Sequence, residues 1–119
     1  MKPYYPRKRA KNVETQKQQL RDLEHRISSE VNALILLCEE GNEKEVQHAK
    51  LKAKSGYLKH SDEMQKIAQH MGERYAKAVR NYLESVDHIV HSNALWIDEA
   101  KVRQCYQMTQ QLEKEITAA

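Results

Sequence analysis

The chain has 119 residues, a formal net charge of +3, no Phe, one Trp, two Pro and three Gly. So few turn formers exclude a sheet protein, which needs turns at short intervals, and the length allows one small domain. The longest apolar stretch, Val31 to Cys38, falls well short of the ~20 residues of a membrane span, and no signal-peptide pattern follows the basic start.

The first twelve residues, MKPYYPRKRAKN, form a basic arm. Lys2, Arg7, Lys8, Arg9 and Lys11 give it +5, so a total of +3 less this +5 leaves −2 for the rest. Charge is thus concentrated at one end of a nearly neutral body, the layout of a folded domain with a charged tail. Pro3 and Pro6 disfavour helix interior, so residues 1–12 are expected to be extended or disordered. Tyr4 and Tyr5 beside Arg7, Lys8 and Arg9 suit stacking on bases as well as phosphate contact.

From Val13 the pattern is helical. Ala, Leu, Glu, Lys, Gln, Met and Arg dominate, all good helix formers. Leu20, Leu23, Ile27, Val31, Leu34 and Cys38 recur at threes and fours, one apolar stripe on a helix over 13–40. Gly41 is placed to close it in a left-handed conformation, and Asn42 with Glu45 makes a capping box for the next helix.

That second helix is expected over 42–91. Val46, Ala49, Ala53, Tyr57, His60, Met64, Ile67, Met71, Tyr75, Ala78, Tyr82, Val86 and Ile89 keep helical phase throughout. Unbroken, it would run about 70 Å. The alternative is a break near 56–61, where Gly56 is followed by Ser61, an N-cap candidate before Asp62 and Glu63, giving four helices instead of three. Gly72 weakens the helix without having to end it. Ser92 and Asn93 are caps for a last helix over 94–117, with Val102, Cys105, Thr109, Leu112 and Ile116 as its stripe and Trp96 near the bundle end.

The expected architecture is therefore all-α. A single antiparallel bundle domain, 13–119, carries three long helices and follows an extended basic arm. A continuous second helix would leave part of each stripe open, and a second copy of the chain is the simplest cover, so a homodimer or higher oligomer is expected. Tyr57, Met64, Met71, Tyr75 and Tyr82 are the interface candidates; tyrosine suits a half-wet seam.

No residues assemble into a catalytic pattern, and neither a cofactor nor a metal is expected. Glu84, Asp87, His88 and His91 share one helix face, but it points away from the apolar stripe, where an exposed i, i+4 pair explains them equally well. The Asp22/His25 and Glu45/His48 spacings resemble half of a dimetal carboxylate site, yet both histidines fall off their stripes. His60 lies on the stripe and suits an interior or interface position. Cys38 and Cys105 sit far apart in no metal or redox spacing and are expected to be reduced, in the cytoplasm.

The segment 46–61 holds Lys50, Lys52, Lys54 and Lys59 and no acid. Two readings follow. The first is a non-enzymatic helical interaction module, such as an adaptor, chaperone, regulator or assembly subunit, with an unidentified protein partner. The second is a nucleic-acid-binding accessory protein that contacts phosphates through Tyr4, Tyr5, Arg7, Lys8, Arg9, Lys11 and the four lysines of 50–59.

Overall fold

The computed structural model describes the backbone of residues 4–92 and 97–118, with side chains from residue 13 onward within those ranges. Four helices fill it in the order α1 (Tyr4–Glu40), α2 (Glu43–Met71), α3 (Glu73–Val90) and α4 (Glu99–Thr117). The bounds of α1 start ahead of Val13, with Pro6 in the first turn, where a helix has no intrahelical partner for the missing N–H. The expected arm falls on residues 1–12. Residues 1–3 lie outside the described residues, as do the side chains of 4–12.

The α1 stripe packs as its spacing predicts: Leu20, Leu23, Ile27, Val31, Leu34 and Cys38 are all buried. Gly41 then ends the helix, but not by left-handed backbone, because Gly72 is the only described residue with positive φ. Space explains Gly41 instead: a Cβ there would lie 2.8 Å from the Leu37 carbonyl oxygen. Asn42 caps α2 as expected, its Oδ1 accepting from the Glu45 N–H at 2.9 Å. Glu45 replies to the Asn42 side-chain amide at 3.1 Å, so the reciprocal arm of the box reaches the side chain and not the backbone.

The second predicted helix is two helices. The chain breaks at Gly72, not near 56–61, and Ser61 lies inside α2. Gly72 has φ 124° and ψ 169°, a region essentially closed to residues with a Cβ. The reversal it makes is evident further along. Lys50 donates to the Ser92 carbonyl, and the Tyr57 ring meets His91 edge-on, centroids 5.8 Å apart. Stripe phase is the same on both sides of Gly72 because both helices face one core; the axis nevertheless turns back.

Similar contacts close the ring. Glu30 of α1 lies against Gly56 of α2, where an added Cβ would come within 3.0 Å of its carboxylate. Arg74 at the start of α3 pairs with Glu115 near the end of α4 at 2.8 Å. Lys17 of α1 donates to the Ala118 carbonyl after α4 at 3.1 Å. The result is an up-down-up-down four-helix bundle with α1 and α3 on one diagonal. Its core joins the α1 stripe to Val46, Ala49, Ala53, Met64 and Ala68 of α2, to Val79, Tyr82, Leu83, Val86 and Ile89 of α3, and to Cys105, Leu112 and Ile116 of α4. Each large apolar side chain so buried contributes about 1.5–3 kcal/mol.

α4 begins at Glu99 on an Asp98 cap, whose Oδ1 accepts from the Ala100 N–H at 3.0 Å, and not at 94. Asn93 and Trp96 lie outside the described residues. No helix among the described residues is long and apolar enough to cross a membrane.

Candidate functional site

Apolar side chains go in and charges stay out as a rule; Val13, Leu36 and Tyr106 are exposed away from α2, and two further places depart from it in a way that groups residues. The first is the outward face of α2. Leu51 and Leu58, seven residues apart and hence on one line along the helix, are 68% and 60% exposed. Lys44 extends the same line, and Lys52 and Lys59 flank it on one side, all exposed. Beside Leu51 a cleft of about 300 Å³ opens between α2 and the end of α3, lined by Gln47, Lys50, Leu51, Lys54, Val90 and His91. Apolar floor and cationic rim alternate here, and 46–61 itself contains no acid; Asp22 and Glu63 line the depression beside Lys59.

The four lysines expected to act together are therefore not equivalent. Lys52 and Lys59 are exposed, Lys54 is half-buried at the cleft, and Lys50 is half-buried and already engaged with the Ser92 carbonyl. The side chains of Tyr4, Tyr5, Arg7, Lys8, Arg9 and Lys11 lie outside the described residues. Among the interface candidates, Met64 and Tyr82 are wholly enclosed by their own bundle and offer no surface to a partner. Tyr57, Met71 and Tyr75 are half-buried. Burial first, and then the nearby Asp87 charge, raises the Tyr57 hydroxyl above its ordinary pKa.

The second departure is the seam between α1, α3 and α4. Glu24 is 1% exposed, inside the α1 core face. The Tyr82 hydroxyl lies 2.6 Å from Ser28 Oγ and 3.2 Å from the Glu24 carbonyl oxygen, tying α3 to α1 across the diagonal. Burial holds the Glu24 carboxyl above the usual carboxylate range. The Ser28 hydroxyl opposes this by hydrogen bonding to it, and the neighbouring Glu113 carboxyl of α4 reinforces it. Even so, Glu24 Oε1 is buried with no hydrogen-bond partner. It points toward His25, whose Nε2 lies 4.0 Å away. One ligand atom from each of Glu24, His25 and Glu113 falls within a 4.8 Å group.

The histidine face expected on α3 is partly drawn together: Asp87 and His91 make a contact, but Glu84 and His88 do not join them in a metal-sized group among the described residues. His60 is half-buried, lining a surface depression with Asp22, Arg26 and Glu63. Both thiols are buried and in no disulfide, and burial pushes both above the ordinary thiol pKa, so neither is an activated nucleophile.

Sequence reasoning missed Leu51, Leu58, Glu24 and Glu113. Glu24 had a signal: it stands four residues after Leu20 and three before Ile27, inside the apolar period. Leu51 and Leu58 had one too, since their seven-residue spacing repeats outside the stripe. Glu113 had none, because only the approach of α4 to α1 makes it a neighbour of Glu24.

No family model, curated protein or solved structure matches the chain.

Proposed function

We propose that this chain is a non-enzymatic helical interaction module whose docking face is the outward side of α2. Its partner would be another protein that presents an acidic, leucine-bearing amphipathic helix. The observation that carries this reading is the exposed Leu51–Leu58 line set among lysines, in a segment, 46–61, that itself contains no acid. Paired apolar side chains at seven-residue spacing are what a helix laid along α2 would cover, and a cationic rim selects acidic flanks and speeds encounter.

Self-association was expected because a continuous second helix leaves its stripe half covered. The Gly72 reversal removes that premise by closing the four stripes on each other. Two copies of the α2 face would also set lysines against lysines, which disfavours a dimer through it. The nucleic-acid reading draws on the same lysines together with the arm, but leucines interleaved among the cations do not help to bind phosphates.

Chemical-shift mapping tests the choice with three probes: an acidic amphipathic peptide with leucines at i, i+3, i+4 and i+7, the same peptide with those leucines changed to serine, and a DNA duplex. The expected outcome is that the first peptide shifts amides of residues 44–62 and the serine version does not. Shifts from the duplex that persist at physiological salt and displace the peptide would transfer the face to nucleic acid.

A further inference from the structure

We propose that Glu24, His25 and Glu113 form a binding site for a divalent transition-metal ion, Zn²⁺ being the best fit, that clasps α1 to α4. The site is independent of the α2 face.

The starting point is the carboxylate of Glu24. A buried carboxylate oxygen without a partner is costly and rare, and Glu24 Oε1 is such an atom. It is not adrift in an apolar core. The imidazole of His25 and the carboxylate of Glu113 converge on the same spot from two helices, so that one donor atom of each lies within 4.8 Å of the others. One donor is rigid. Glu24 is packed in the core, and its helix is held across the diagonal by the Ser28–Tyr82 contact at 2.6 Å. The other two are adjustable, since His25 and Glu113 are exposed. A pre-set buried ligand with two mobile exposed ones can close from this spacing onto metal–ligand distances of about 2.0–2.2 Å.

Donor chemistry selects the ion. Two carboxylates and one imidazole make a mixed oxygen–nitrogen set, which suits Zn²⁺ and related first-row ions; Ca²⁺ and Mg²⁺ prefer oxygen alone. Both thiols lie outside the group, so no soft ligand argues for copper(I). Three protein ligands leave the outer position to water. Bound there, the ion would join α1 to α4 beside the Lys17–Ala118 contact.

The competing occupant is a proton shared between Glu24 and Glu113. It would satisfy the carboxyl pair and leave His25 uninvolved, so His25 separates the two. The experiment uses the full chain without a histidine tag, stripped with chelator and then titrated with ZnCl₂ by calorimetry, with Co²⁺ as a visible reporter of the coordination shell. One Zn²⁺ per chain is expected. The melting temperature would rise on the order of 5–10 °C at about hundredfold excess over Kd. Affinity would fall at least about tenfold in His25→Ala and in Glu113→Gln, while His88→Ala, on the exposed face of α3, would leave it unchanged. Because His25 and Glu113 are exposed, neither change unfolds the bundle, and circular dichroism checks this. No Zn²⁺ binding below about 100 μM, a range in which such sites should load, would overturn the site. So would full affinity in His25→Ala.

Discussion

The α1–α4 seam hides a carboxylate, whereas the outward face of α2 displays two leucines. Both invert the ordinary partition of side chains, but they differ in what surrounds them. Glu24 sits among partners from its own chain: Ser28 hydrogen bonds to its carboxyl, Tyr82 reaches its backbone carbonyl and Glu113 lies alongside. Leu51 and Leu58 project away from the core, each more than half exposed. An inverted residue held by internal partners is bound up with folding. One without them costs folding almost nothing and is free to serve an external contact.

The sharpest way to break the comparison is at the centre of the seam. Tyr82 is completely enclosed and hydrogen bonded to α1. Tyr82→Asp buries a charge there beside the Glu24 carboxyl, at a cost of about 3–5 kcal/mol. The expected result is a chain that is unfolded, or melts far lower, by circular dichroism. A melting temperature close to that of the unaltered protein would show that the seam is not part of the cooperative core.

A smaller effect is expected where the seam is set up. Tyr82 meets Ser28 only because the chain turns back at Gly72. A Cβ at Gly72 would meet nothing within 4 Å, so Gly72→Ala isolates the backbone cost of φ 124°. The loss should be about 1–3 kcal/mol, read from urea unfolding with an unchanged m-value. An unaltered midpoint would mean that the turn relaxes into a conformation open to alanine.

That residue also marks how far the sequence could be read. All six stripe residues of α1 are buried where the period puts them, and Asn42 caps α2. Periodicity reports which side of each residue faces the core, and in an antiparallel pair that side is shared. Met71 and Tyr75 therefore stay in phase across a reversal that a single glycine accomplishes, and phase alone made α2 and α3 look like one rod. The last start was misplaced for a related reason: Ser92, Asn93 and Asp98 are all competent caps by residue type, and the sequence does not rank them, whereas α4 starts on Asp98. For the candidate sites, the lysines of 50–59 were visible as composition. Their inequality was not, because Lys50 is occupied by a carbonyl brought in from the end of α3.

The least effect on folding belongs to the α2 face, and there a null result is informative. Leu51→Gln combined with Leu58→Gln removes two branched side chains that the core does not use. Stability should stay within about 0.5 kcal/mol, as for surface positions away from caps and cores, while the amide shifts produced by the acidic leucine peptide disappear. Both readouts are needed. Lost stability would mean that these leucines fold back onto the bundle and belong with Glu24 among residues held from within. Retained stability with retained peptide shifts would leave the lysines alone as the attraction, and a surface that selects only by charge takes phosphate as readily as an acidic helix.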